Sequence, residues 1–321
     1  MIDKMKFIET NLQGLEEYRM TYFNNEEYQT LVSDLIGDIF YTSTSYRGKI
    51  STLRQYAEII VRKILDIDPK REITLGDEEI RKRIRKLPNY KVVEKAVKKI
   101  KKKGNKTTHT QYRGEVTVEE FNNAVDGLFD LLSYLLISYF EKYKFGSNGS
   151  VMHSFSILPP IIRYKVLIFL YKEYPDNISI IDKLVLATLK ACNTETATKW
   201  IEENKESLLK MNAYSEDFYG QIALQDPNLV EVLKYIAPPN MYQLCKEKIY
   251  QVGTLIHRNG LPYSDFESAL PYYKQEGRVQ GATPEVQEFN DIMDFLYMGR
   301  RERERLFSGS NNSMVVLDII E

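Results

Sequence analysis

Residues 117–143 read TVEEFNNAVDGLFDLLSYLLISYFEKY, and the spacing of their apolar side chains decides the fold. Phe121, Val125, Leu128, Leu132, Leu135 and Tyr139 recur at alternating steps of four and three, the seam of a long bundle helix over 118–143. Thr117 and Glu120, three positions apart and just ahead of the seam, form a capping box that starts it. The apolar run inside it, near Leu131–Phe140, is about half of what a bilayer span needs, so this is a core helix.

Working outward, the same period fills the chain upstream. Residues 46–66 place Ile50, Leu53, Ala57, Ile60 and Ile64 on one stripe, and 26–43 read as a first bundle helix. A short helix is expected over 77–87, stopping before Pro88. Residues 90–103 continue as a very basic helix with Val93, Val97 and Ile100 as its apolar points. Gly104-Asn105 should end it, since both residues tolerate a left-handed backbone. With an extension over 1–25, residues 26–143 thus read as a four-helix bundle.

KFGSNGS, residues 144–150, is small and polar and reads as a linker. Beyond it, residues 151–321 form a second helical domain with helices expected over 159–174, 178–192, 195–210, 228–236, 240–258 and 285–306. No repeat of fixed period joins them. SMVVLDIIE, at the end, is strand-like but has no obvious partner. The fold class expected is all-α, and the second domain, with no residues converging at a catalytic spacing, reads as a sensing or partner-binding module.

An apolar fraction of 43% and a charged fraction of 28% belong to a soluble globular protein. MIDKMKF has no apolar stretch of the kind that directs secretion. Cys192 and Cys245 match no zinc or redox spacing and read as reduced thiols, so a cytoplasmic protein away from membranes is expected. The net charge of −1 conceals an asymmetry: between Arg81 and Lys106 stand 13 Lys or Arg against Glu94 alone. Two readings stay open, a surface for a polyanion and a face that merely solvates its helices.

Common catalytic signatures are missing. GSNGS lacks the Lys-Ser/Thr of a phosphate-binding loop, and His109, His153 and His257 stand too far apart to pair on a metal. His109 draws attention because it follows the lysines of KKIKKKGNKTTH, residues 98–109. Its imidazole titrates near neutral pH and suits proton transfer from a ribose 2′-hydroxyl, while neighbouring lysines suit a phosphate. A histidine hydrogen-bonded locally in a polar turn is the competing reading. Tyr41, Tyr46, Tyr56, Tyr90 and Tyr112 lie in or near the basic half, as stacking platforms for bases or as half-buried packing residues.

A bundle in which SYRGKISTLRQYAEIIVRKIL is followed by a basic helix, then GNKTTH, then a long helix, resembles the HEPN superfamily (higher eukaryotes and prokaryotes nucleotide-binding) over residues 26–143. It is most similar to the HEPN-like domains of type I restriction subunits and bacterial abortive-infection proteins. The resemblance implies RNA binding and metal-independent endoribonuclease activity without a cofactor, in an antiviral defence or toxin-like setting. It also implies a homodimer whose two copies of the motif meet. On the motif, His109 falls on the histidine and Asn105 on the polar position. Gly104 stands where the tight form has its Arg. In the looser form, Arg-x-x-Gly-Asn-x-x-x-His, Lys101 takes the Arg position, keeping the charge but losing the bidentate fork.

The catalytic set so implied is His109, Asn105, Lys101 and Glu58. Glu58 is the polar residue of the second helix that would orient His109 or a lysine, unless it simply pairs with Arg54 four positions earlier. Lys98, Lys99, Lys102, Lys103, Lys106 and Arg113 would bind the nucleic acid. The alternative is a catalytically inactive interaction module that docks nucleic acid or a partner protein, with a further protein partner on the C-terminal domain.

Overall fold

The structure is a computed structural model that describes residues 26–68, 70–107 and 115–302. Every regular element among them is helical, so the all-α expectation holds there. The strand-like 313–321 and the extension 1–25 lie outside the described residues. Two compact units emerge, each described by itself.

The first unit opens with α1 (Glu26–Ile36), which buries Val32, Leu35 and Ile36 and runs into a π-helical turn, Gly37–Tyr41. Ser45 caps α2 (Tyr46–Leu65) by accepting the Gly48 N–H, and Asp66 ends it in the left-handed conformation. Ile50, Leu53, Ala57 and Ile60 of the expected stripe are buried in it. After a turn at Thr74–Asp77 comes α3 (Glu78–Ile84), then α4 (Tyr90–Thr107). The basic helix α4 runs through Gly104 and Asn105 instead of stopping there. A single interior glycine costs only about 1 kcal/mol, which a packed helix can carry. Val93, Ala96, Val97 and Ile100 are its buried face, and α4 packs along α2.

The quoted seam is α5 (Val118–Lys142). Its capping box is present, with Glu120 N–H donating to Thr117 Oγ1 at 3.2 Å and Thr117 N–H to Glu120 Oε2 at 3.4 Å. All six seam residues are buried.

In the second unit the chain is punctuated by Asn, Asp and Ser caps. The segment read as a linker becomes a turn at Gly146, with φ of +88°, and a helix start. Asn148 accepts the N–H groups of Ser150 and Val151 and opens α6 (Gly149–Ile157). Pro160 opens α7 (Pro160–Glu173), and Asn177 caps α8 (Ile178–Ala191). Asn193 caps α9 (Thr194–Glu203), which passes into the short α10 (Lys205–Leu208). Ser215 and Asp226 cap a helix pair, α11 (Glu216–Gln225) and α12 (Pro227–Ile236), and Asn240 caps α13 (Met241–Asn259). Asp265 starts α14 (Phe266–Tyr272) with its own capping box. The core gathers Ile181, Val185, Ile201, Leu244 and Ile249 from α8, α9 and α13. Trp200 packs edge-on to Tyr171 at 5.1 Å.

The units divide the chain elsewhere than composition suggests. The first takes residues 26–139 and then 274–302, so the division falls inside α5, not in 144–150. The last helix among the described residues, α15 (Pro284–Tyr297), belongs with the bundle and stops at Tyr297, short of the expected 306. Two interactions fasten it there: Phe289 lies 5.2 Å from the Tyr139 ring and Lys63 pairs with Asp291. Within its own segment, Asn290 holds both the N–H and the carbonyl of Val279. Gly299, at φ +72°, then passes so close to α1 that a Cβ would stand 2.7 Å from the Ser33 nitrogen. Interactions over such sequence separations leave no mark on local composition.

Candidate nucleic-acid interface

Helix α4 sorts its lysines by angle. At 100° per residue, Lys91, Lys95 and Lys98 fall on one stripe at i, i+4 and i+7, opposite the buried Val93, Ala96 and Ile100. All three are exposed, and none has an ion-pair partner among the described residues. The stripe runs about 10 Å along the helix.

One flank of that stripe faces α5 and is neutralised. Lys99 donates to Asp130 at 2.7 Å and also to Asp126, and all three side chains are 17–20% exposed. Burial alone would depress its ammonium, but the two carboxylates more than offset that and hold its pKa above the usual lysine value. Lys99 is therefore a tie between helices. To reach a phosphate it would have to leave both partners, which sets it apart from the other lysines of the set. Gly127 brings the helices together at this point: a Cβ there would meet the Ala96 carbonyl oxygen at 2.9 Å and Lys99 Cβ at 3.0 Å.

The other flank faces α2 and the Thr74–Asp77 turn, and it collects cations. Lys101 Nζ lies 3.8 Å from where a Cβ on Gly76 would stand. Burial first, and then the Arg81 and Arg54 guanidiniums, hold its ammonium below the usual lysine pKa, with Asp77 acting the other way. Glu58, on α2, accepts the Leu75 N–H at 3.3 Å and sits 3.7 Å from Arg54 Nε, the two side chains being 21% and 18% exposed. Burial pushes the Glu58 carboxyl above the usual range, and Leu75, Arg54 and Arg62 pull it only part of the way back. Asp77 is fixed by Thr74, whose N–H and hydroxyl each donate to it at 2.8 Å. Those bonds, with help from Lys101, hold its carboxyl low.

The structure thus brings Glu58 and Lys101 of the expected set to the two sides of one turn. Asn105 lies in the backbone of α4 one helical turn beyond Lys101. The side chains of Lys102, Lys103, Asn105 and Lys106, and the whole of His109 and Arg113, lie outside the described residues. Tyr56 is a core residue here, fully buried, whereas Tyr46 is only half-buried, with its ring 5.4 Å from that of Phe121. The motif alone does not point to Lys91, Lys95 or Arg81. The i, i+4, i+7 spacing of the exposed lysines is the signal for the first two. Arg81 carries no such signal, because it reaches the turn from a separate helix.

Among the described residues no group of His, Cys, Asp and Glu is arranged to hold a metal ion, and no helix is long and apolar enough to cross a membrane. No family model, no curated protein and no solved structure matches the chain.

Proposed function

We propose that the chain binds RNA along the outward stripe of α4 and cleaves it without a metal. The observation that carries the reading is the row Lys91, Lys95 and Lys98, exposed, aligned and unneutralised, while Lys99 beside them is fully engaged. A protein that only needed a solvated helix gains nothing from aligning uncompensated charge, since like charges one turn apart destabilise each other. A phosphate backbone offsets that repulsion by releasing its counterions.

Cleavage follows the HEPN resemblance. The ribose 2′-oxygen attacks phosphorus as His109 takes its proton, the bond to the 5′-oxygen breaks, and that oxygen leaves with a proton from water. Products end in a 2′,3′-cyclic phosphate and a 5′-hydroxyl. Lys101 offsets charge on the phosphate, Asn105 positions the backbone, and Glu58 orients a cation or His109. A homodimer composes the complete site, in the cytoplasm of a cell that uses RNA cleavage against phage or as a toxin.

End-labelled single-stranded RNA incubated in EDTA with the wild type and with His109→Ala tests this. Cleavage by the wild type, lost in the variant and leaving cyclic phosphate ends, is expected. RNA that is bound with a steep salt dependence but left intact by both makes the chain an inactive docking module.

A further inference from the structure

Helices α11 and α12, ten residues each and joined through Asp226, are rich in apolar side chains and bury none of those described. The equally long α9 buries Ala197 and Ile201. Five of the twelve large apolar side chains exposed among the described residues fall in this pair: Leu224, Leu229, Val232, Tyr235 and Ile236. Tyr235 is 90% exposed and Leu224 89%. Helices this short have little stability alone, so a covered apolar face is what holds them. Part of that cover is internal. The two helices pack on each other, and Phe218 stacks on Tyr214 at 4.9 Å. The rest faces solvent.

The exposed residues of α12 are ordered. At 100° per residue, Leu229, Val232, Tyr235 and Ile236 fall within an arc of about 120°. Val230 and Leu233, both half-buried, occupy the adjoining arc. Glu231 and Lys234 take the remainder, with the Lys234 ammonium 5.2 Å from the Tyr219 ring. The exposed arc therefore holds no charge. We propose that this arc is a homodimer interface. In it α12 of one chain packs on α12 of a second copy about a two-fold axis beside Val232, and the two helix pairs close into a four-helix bundle.

Area, charge and symmetry select a second copy as the occupant. A fully exposed aliphatic side chain offers about 100 Å² and a tyrosine about 200 Å², so the arc on α12 presents on the order of 300 Å². Leu224 adds to it. A standard interface takes about 800 Å² from each partner, a little over half of it apolar, so the exposed surface is close to what a dimer needs. A surface shaped for a different protein selects its partner by complementary charge. This arc has no charge to offer, and none to repel its like. Leu229 lies three positions before Val232 and Ile236 four after it, so an axis beside Val232 lays apolar surface on apolar surface in both halves. Two helices are also what a hairpin of two lacks to complete a bundle. The interface lies on the second unit and does not rest on RNA binding or cleavage.

Sedimentation equilibrium of the full chain over two decades of protein concentration tests it. The wild type is expected to dimerise, and Val232→Glu to raise the dimer Kd at least about tenfold, because each copy would bring a carboxylate to the axis. Val232 is 53% exposed, so the variant should keep the helical circular dichroism of the wild type. Val232→Cys supplies the converse signal. A residue beside a two-fold axis faces its own copy, so oxidation should join two chains through it. The wild type, with Cys245 buried and Cys192 half-buried, is the blank. A chain that stays monomeric at every concentration overturns the proposal and leaves another protein as the occupant. A dimer that Val232→Glu does not weaken and Val232→Cys does not cross-link also overturns it, since association then lies elsewhere on the chain.

Discussion

The two flanks of α4 carry the same residue type two positions apart and put it to opposite uses. On the α5 flank, Lys99 lies between Asp126 and Asp130 and has no charge to offer. On the flank facing the Thr74–Asp77 turn, Lys101 stands beside Arg54 and Arg81 without a hydrogen bond of its own among the described residues. The number of lysines along a helix therefore says little about binding. What decides is which neighbour each angle of the helix meets, and whether that neighbour is an acid.

The comparison breaks most completely at Gly127. Its missing Cβ lets α5 lie against the Ala96 carbonyl, and without that approach Asp126 and Asp130 lose their reach to Lys99. Gly127→Val should cost about 3 kcal/mol through overpacking, or prevent folding, as read by the urea midpoint. A stability within error of the wild type would mean the two helices can separate freely, and the neutralised flank would lose its structural basis.

Lys99→Met sharpens the contrast. It keeps the aliphatic stem but takes the shared ammonium away from two carboxylates four residues apart, at a cost of about 2 kcal/mol in this partly exposed setting. The salt slope of RNA binding should be unchanged. Replacing Lys91, Lys95 and Lys98 together by Ala is the converse. Stability should hold, and the slope should fall by about 2, close to 0.7 for each phosphate no longer neutralised. If Lys99→Met lowers the slope as much as any one stripe lysine does, the flanks are not distinct.

Much of this fold is legible in the sequence because its helices announce themselves locally. The seam from Phe121 to Tyr139, the Thr117–Glu120 box and the stripe on α2 are periodicities within one helix, and each is present. Gly104-Asn105 misleads, since a helix held by its buried Val97 and Ile100 can run through a glycine. GSNGS misleads in another way. Asn148 is as good a cap as it is a loop residue, and only the apolar Val151 and Phe155 that follow distinguish the two. The attachment of α15 to the bundle cannot be read from sequence at all, because Lys63–Asp291 joins residues 228 positions apart.

The candidate site divides the same way. Lys101 and Glu58 follow from a linear motif and do meet one turn, but the motif cannot tell Lys99 from Lys101, which differ only in angle. Arg81 enters from a helix that no motif includes. The carboxylates decide the outcome, and two of them, Asp126 and Asp130, lie on α5, well downstream of the basic run.

Glu58 offers the finest test, because it is the acid of the cationic flank and answers to pH. Its carboxyl is held above the usual range by burial, so the folded chain binds a proton there more tightly than the unfolded chain does. Stability from that proton is fully present below the unfolded carboxylate pKa of about 4.3 and is lost as pH rises through the higher folded value. Glu58→Gln removes the titration while keeping an oxygen to accept the Leu75 N–H. Relative to the wild type, the variant should therefore gain stability as pH rises through that window. Urea midpoints for both proteins at a series of pH values read this directly. Parallel curves would mean that Arg54 and Arg62 compensate the buried charge in full, and the flank facing the turn would then be as well neutralised as the one facing Asp126 and Asp130.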